Sequence, residues 1–127
     1  MILVDTSAWV EFFRGRDPVA HAVDVAIAAA EAALCGPVVT EIRRGLRASE
    51  RRRVLPLLEG CTLLEQPEDL WVAAGDLGAH LSRKGATVKT LDLLIATYAI
   101  AHSTLLLTVD TDFQMIARAG VGLLLAT

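Results

Sequence analysis

The first nine residues, MILVDTSAW, constrain the fold more than any other stretch of the chain. The apolar run MILV leads directly to Asp5, and a short uninterrupted run of this kind is typical of a strand buried on both faces of a parallel sheet. Thr6 and Ser7 are favourable N-cap residues for the helical pattern of residues 8–13. Asp5 is therefore predicted to lie where a buried strand ends and a helix begins. In open parallel sheets that edge is where ligands bind.

The rest of the chain alternates between strand and helix patterns. Further strands are predicted over residues 32–35, 61–65, 104–109 and 121–125. Helices are predicted over residues 19–33, 38–48, 50–59, 68–84, 91–102 and 113–119, with Ser49 and Thr90 as caps. This alternation predicts one α/β domain over residues 1–127, with a central, mostly parallel β-sheet and right-handed crossovers.

The composition favours a protein that associates with other proteins. Hydrophobic residues make up 54% of the chain and the mean hydropathy is +0.48, more than one small core needs. The longest uncharged run, residues 93–109, is too short for a membrane span, and no signal peptide is predicted. Cys35 and Cys61 lack the spacing of a zinc site or a disulfide framework, which predicts two buried thiols in a reducing cytoplasm.

Five acidic residues occur at positions where chemistry is expected. Asp5 and Asp110 follow apolar strands, Asp92 lies in the first turn of a predicted helix, and Glu41 lies within another. Each has a plainer interpretation when it is taken alone. Asp92 could be a partner of the helix dipole, Glu41 a solvated residue, and Asp110 to Asp112 an Asx turn. If the five share one site, the acidity is local, because ten acids then face twelve bases elsewhere.

Taken in order, four short motifs resemble the PIN domain, and more narrowly the VapC-type toxins of bacterial and archaeal toxin–antitoxin pairs. They are Asp-Thr-Ser at 5–7, Thr-Glu with a glycine at 40–45, Thr-Leu-Asp at 90–92 and Thr-x-Asp-x-Asp-Phe at 108–113. The resemblance implies a three-layer α/β/α sandwich. It also implies a metal-dependent endoribonuclease that cleaves structured RNA of the tRNA or rRNA class, as the toxin of a type II system. A small antitoxin and a homodimer are the partners it implies.

The resemblance also implies which residues form the site. The acids that match are Asp5, Glu41, Asp92 and one or both of Asp110 and Asp112. Three hydroxyl residues accompany them as supporting groups: Thr6, Ser7 and Thr108. Hydrolysis of a phosphodiester needs an activated water and neutralisation of developing charge, both of which a hard cation supplies. No histidine or cysteine occurs in the motifs, so Mg²⁺ or Mn²⁺ is expected rather than Zn²⁺.

A run of arginines begins two residues after Glu41. It consists of Arg43, Arg44, Arg47, Arg51, Arg52 and Arg53. One interpretation is a solvated helix face paired with acids such as Glu50. The other is a patch that follows the phosphates of a single-stranded or looped RNA beside the site. The large aromatic residues Trp9, Trp71, Phe12 and Tyr98 are expected in the core.

Three other classes of protein compete with the ribonuclease. A phosphotransfer domain requires a second Asp where Ser7 stands, or a Lys after its last strands, and this chain has neither. A von Willebrand A-like metal-adhesion module is matched by Asp5 and Ser7, but Trp9 replaces its last serine. A PIN-like module that binds RNA without cutting it would lack an acid, and none is missing. The ribonuclease is therefore the favoured interpretation.

Overall fold

The computed structural model describes residues 1–126 as a parallel sheet surrounded by helices. The strands are β1 (Ile2–Val4), β2 (Ala32–Leu34), β3 (Thr62–Leu63) and β4 (Leu105–Leu107), in the order β3-β2-β1-β4. The helices are α1 (Thr6–Phe13), α2 (Val19–Ala28), α3 (Gly36–Gly45), α4 (Ala48–Glu59), α5 (Leu70–Arg83), α6 (Thr90–Ala101) and α7 (Thr111–Arg118). Every strand pair is parallel, as the alternation of patterns predicts.

The central strand β1 fixes the edge of the sheet at which the site forms. Its apolar residues pair with β2 on one side and with β4 on the other, and Leu3 and Val4 are fully buried. Val4 pairs with Leu107, and the backbone N–H of Asp5 donates to the carbonyl of Leu107 at 2.9 Å. The residues that follow β1 and β4 therefore leave the sheet side by side.

Several predicted helix starts differ from the structure. Asp5, not Thr6 or Ser7, is the N-cap of α1, because its carboxylate accepts the backbone N–H of Ser7. Arg47, not Ser49, precedes α4, where its backbone N–H donates to the carboxylate of Glu50. Capping depends on backbone dihedrals at one position, which neighbouring residues of similar propensity do not reveal.

Three further element boundaries differ from the prediction. The helical pattern of residues 19–33 ends at Ala28, and Thr90 is the first residue of α6 and not its cap. The predicted strand 121–125 is reduced to a single parallel bridge between Leu106 and Leu125. Gly120 and Gly122 have positive φ angles of 73° and 92°, which interrupt an extended backbone there.

The core surrounds α6, whose residues from Asp92 to Ala99 are all buried. This helix packs against α5, α3 and α7. Trp9 and Tyr98 are buried as expected. The expectation for Trp71 is wrong, because its side chain is 66% exposed on α5. Apolar residues on a helix of mixed pattern do not all face the core, since only one side of α5 packs on α6.

The two thiols differ in their surroundings. Cys35 is buried, but Cys61 is only half-buried and donates to the carbonyl of Leu57 at 3.3 Å, so the expectation of two buried thiols is wrong for Cys61. Within residues 1–126 no helix is long and apolar enough to cross a membrane.

The packing of α5 on α6 gives a stability prediction with a built-in control. A Cβ added at Gly78 would lie 2.8 Å from Cδ1 of Leu93, whereas one at Gly75 would contact nothing within 4 Å. Gly75→Ala should raise the free energy of unfolding by about 0.5–1 kcal/mol through helix propensity. Gly78→Ala should be less stable than Gly75→Ala by about 1 kcal/mol or more, because Leu93 must move. Urea titration of both variants checks this, and equal midpoints would contradict the packing.

Candidate metal centre

Asp5 is held at the end of β1 by two hydroxyl groups and is only 4% exposed. Its Oδ2 accepts from Oγ of Ser7 at 2.7 Å and from Oγ1 of Thr108 at 2.9 Å. The backbone N–H of Ser7 is a third, longer donor at 3.4 Å. Because these donors converge on Oδ2, the other carboxylate oxygen, Oδ1, is left for a ligand.

The same hydroxyls connect Asp5 to the loop after β4. Oγ of Ser7 accepts the backbone N–H of Val109 at 3.1 Å, and Oγ1 of Thr108 accepts that of Asp110 at 3.0 Å. Each hydroxyl has one proton and donates it to Asp5, so the 3.1 Å approach between the two hydroxyls involves no donated proton. Ser7 and Thr108 thus fix the carboxylate of Asp5 relative to the start of α7.

Three carboxylates converge beside this network. Oxygen atoms of Asp92, Asp110 and Asp112 lie within 4.8 Å of one another. Oδ1 of Asp110 accepts the backbone N–H of Asp112 at 2.9 Å, so Asp110 is also the N-cap of α7. The Asx-turn interpretation of residues 110–112 is therefore correct, and it coexists with the clustering of their charges. The structure brings both Asp110 and Asp112 to the cluster.

Asp92 carries the clearest sign that this cluster is incomplete. The residue is 8% exposed, and its Oδ2 is buried with no hydrogen-bond partner among the described residues. Burial is the main cause that raises its pKa from 3.8 to about 6; the charges of Asp110, Asp5 and Asp112 act in the same direction, while Lys89 opposes them. A buried carboxylate oxygen without a donor is costly. An oxygen-binding divalent cation between these acids would satisfy it and offset their repulsion.

Lys89 is a residue that the sequence motifs do not single out. It precedes α6 at its N-cap position, three residues before Asp92, and it is exposed. It is the cation whose charge lowers the pKa of Asp92. Its position one helical turn before an acid of the motif is the signal that could have identified it.

Glu41 lies outside the group of three carboxylates. Its Oε1 accepts from Oγ1 of Thr6 at 2.7 Å, which ties α3 to the first residue of α1. The charges of both Asp5 and Glu41 act on the Cys35 thiol, whose pKa is raised to about 12, chiefly by burial. Glu41 is therefore near Asp5, with Thr6 as its partner. Gly45, the glycine of the same motif, makes no close approach to other groups, because a Cβ there would meet nothing within 4 Å.

The arginine run is free of ion pairs. Within residues 1–126 the one ion pair is between Arg16 and Glu11, at 3.6 Å. Arg43 and Arg44 are exposed at the end of α3, and Glu50 bonds the backbone of Arg47 and not its guanidinium. The described residues thus show no ion pairs between the arginine run and acids, which the first interpretation requires.

An apolar surface cavity is formed by residues other than the candidate acids. It has a volume of about 540 Å³ and lies between α5 and α6, lined by residues such as Val72, Leu77 and Ile100. None of the candidate acids lines it. The volume of a cavity therefore does not identify the site here. The cluster of carboxylates that have no positively charged partner is the better guide.

Comparison with known proteins places this arrangement in a family. Residues 2–119 match the family model described as the PIN domain. The chain is 40% identical over 126 residues to Ribonuclease VapC11 of Mycobacterium tuberculosis, and the match covers 93% of this chain and 92% of the relative.

Solved structures agree with this match at the level of the fold. The VapBC2 structure from Rickettsia felis, bound to a promoter DNA fragment, has a TM-score of 0.79 at 22% identity and covers 99% of this chain and 98% of that chain. The DNA-bound VapBC structure from Salmonella typhimurium has a TM-score of 0.78 at 18% identity, covering 98% and 96%. With the family match, these similarities confirm the three-layer α/β/α architecture.

The raised pKa of Asp92 predicts how the stability of the metal-free protein depends on pH. The folded state holds a proton on Asp92 that the unfolded state has lost, so stability falls as pH rises from about 4 to about 6. Asp92→Asn removes this penalty. In chelator at pH 7 it should be more stable than the unmodified protein, by about 1–2 kcal/mol after allowance for solvent screening. At pH 4 the two should melt together.

Thermal melts at both pH values check this, with Asp24→Asn on the exposed side of α2 as the control. Addition of Mg²⁺ or Mn²⁺ should stabilise the unmodified protein and not Asp92→Asn. A lower melting temperature for Asp92→Asn than for the unmodified protein, in chelator at pH 7, would contradict the prediction. It would show that Asp92 stabilises the N-terminus of α6 and is not destabilised by the neighbouring carboxylates.

Proposed function

The chain belongs to the PIN-domain family and to its VapC branch, and we propose that it is an endoribonuclease that depends on Mg²⁺ or Mn²⁺. The observation that carries the proposal is the buried, unpartnered Oδ2 of Asp92 among the carboxylates of Asp110 and Asp112. Nothing within the described residues neutralises these charges by direct ion pairing. Family membership removes the metal-adhesion alternative.

The arrangement suits hydrolysis of a phosphodiester bond. Asp92, Asp110 and Asp112 would hold the cation, with Oδ1 of Asp5 as a further ligand. When bound, a divalent ion supplies an activated water and neutralises charge that develops on the phosphate. The chain's own part is orientation, because Ser7 and Thr108 hold Asp5 while the cap of α7 holds Asp110. All candidate ligands are carboxylate oxygens, which favours Mg²⁺ or Mn²⁺ over Zn²⁺.

The substrate that we propose is structured RNA of the tRNA or rRNA class. The arginines at 43, 44, 47 and 51 follow Glu41 along α3 and α4 and have no acidic partners among the described residues. Arg47 shares a pocket with Glu41, and guanidinium groups without acidic partners suit a polyanion. Lys89 supplies a further positive charge on the α6 side of the acids. Glu41 accepts a hydrogen bond from Thr6, the residue after Asp5, and precedes the first arginine of the run by two residues, so it is proposed as a supporting group of the same site.

We propose that the protein is the toxin of a type II toxin–antitoxin pair, with a small antitoxin and a second copy of itself as partners. The solved relatives described above are complexes named VapBC. Trp71 and Val72 are exposed side by side on α5, next to the apolar cavity against α6, and such a surface favours association with protein. An RNA target and two unpaired thiols are consistent with the cytoplasm.

Removal of a ligand should abolish cleavage without loss of the fold. Asp5→Asn and Asp92→Asn should each lower the rate of cleavage of an RNA substrate by about a hundredfold or more, because the cation's contribution to the transition state is lost. Excess chelator should do the same to the unmodified protein, and Mg²⁺ or Mn²⁺ should restore it. Cleavage of a labelled RNA, with circular dichroism to monitor folding, checks this against Asp24→Asn.

Two outcomes would overturn the proposal. Undiminished cleavage in excess chelator would eliminate the metal mechanism. Tight RNA binding with no cleavage under any divalent ion would indicate the alternative, a PIN-like module that binds RNA without cutting it.

The arginine run should contribute to binding by neutralising phosphates. Replacement of Arg43, Arg44, Arg47 and Arg51 by Gln should weaken RNA binding and reduce the slope of log K against log salt by about 0.7 for each phosphate that is no longer neutralised. The double variant Arg83→Gln and Arg118→Gln, on α5 and α7, removes two charges elsewhere and is the control for net charge when the change in slope is compared per charge removed. Binding isotherms at several salt concentrations measure the slope. An unchanged slope would assign the run to solvated surface.

A further inference from the structure

A second pocket opens between α1 and α3, and its lining includes Thr6, the residue that follows Asp5. Its volume is about 370 Å³, at the small end of the range for small-molecule sites. Thr6 and Glu41, which are hydrogen-bonded to each other, both line it. From there it runs along one face of α1 past Val10 to Phe13. At 1.5 Å per residue, Thr6 to Phe13 spans roughly 10 Å.

The walls of this pocket combine an aromatic surface with free cations. Phe13 belongs to a rigid aromatic cluster in which its ring stacks on that of Trp9, with centroids 5.8 Å apart and planes inclined by 28°. Arg14 and Arg47 flank the apolar part, and neither has an acidic partner among residues 1–126. The lining also carries two acids, Glu41, which accepts from Thr6, and Glu50, which accepts from the backbone N–H of Arg47; these bonds fix both carboxylates in place and leave both guanidinium groups without an ion pair.

We propose that this pocket, the α1–α3 pocket, receives one unpaired nucleotide of the RNA next to the bond that is cut. The base would lie against Phe13 and the apolar wall, with its phosphate between Arg14 and Arg47. This inference rests on the proposed ribonuclease function and adds the requirement that one nucleotide of the RNA is unpaired. An aromatic face with flanking arginines is the combination that recognises single-stranded nucleic acid. A paired base could not enter a pocket of this size, so the nucleotide must be unpaired.

Gly45 provides a way to fill the pocket without disturbing the acids. It lines the pocket at the end of α3, and a Cβ added there would meet nothing within 4 Å. Gly45→Leu should therefore fold normally and occupy the space intended for the base. Gly75→Leu, at an equally open position on α5, is the matched control. Arg14→Gln tests the phosphate interaction, with Arg16→Gln as its control because Arg16 already pairs with Glu11.

The experiment measures binding and cleavage separately. In chelator, fluorescence anisotropy of a short labelled single-stranded RNA should show affinity lowered by roughly tenfold or more in Gly45→Leu and Arg14→Gln, and unchanged in the controls. Annealing the complementary strand should reduce binding of the unmodified protein and remove the difference between Gly45→Leu and its control.

The outcomes distinguish this inference from the proposed activity. Weakened binding by both variants supports the pocket, even if the protein cleaves no RNA. Cleavage by the unmodified protein with unchanged binding and cleavage in Gly45→Leu would overturn the pocket and leave the ribonuclease intact. Unchanged RNA binding in Gly45→Leu with loss of a co-purifying protein partner would likewise overturn it, and would assign the pocket to a protein segment.

Discussion

The parallel pairing of β1 with β4 is the interaction on which the rest of the site depends. It aligns Val4 with Leu107 and brings together the two chain segments that leave the sheet. Asp5 follows one strand and Thr108 the other, and a 2.9 Å hydrogen bond joins their side chains. A slip of one residue in this register would turn Asp5 towards the opposite face and separate it from the start of α7. The apolar core of the sheet therefore sets the geometry of a polar site.

The polar site works against the stability that the core provides. Asp92 is buried in the first turn of the most buried helix, without a donor for Oδ2 and close to the carboxylates of Asp110 and Asp112. Such repulsion is tolerable only if other groups hold the acids in place or a cation joins them. Here Asp5 and Asp110 are held by local hydrogen bonds at the starts of α1 and α7, which orient these carboxylates without neutralising them.

The sequence predicts those parts of the structure that depend on local pattern. The strand before Asp5 and the position of Asp92 in the first turn of α6 both follow from periodicity and propensity. The sequence leaves open whether Asp110, Asp112 or both join the cluster, since this depends on how the α7 cap turns each side chain. Glu41 is expected among the other acids; it lies outside the group of three and is bonded to Thr6, next to Asp5 along the chain, a pairing between α1 and α3 that local pattern does not reveal. The expectation for Trp71 fails because burial on α5 is decided by which face meets α6.

The central claim is that a divalent cation belongs between Asp92, Asp110 and Asp112. The most direct measurement is anomalous diffraction from crystals of the full chain grown with Mn²⁺. An ion bound by these three aspartates, with Oδ2 of Asp92 and Oδ1 of Asp5 directed towards it, is the result that the structure predicts. Full occupancy of Mn²⁺ at other residues only, with Oδ2 of Asp92 still without a partner, would contradict it.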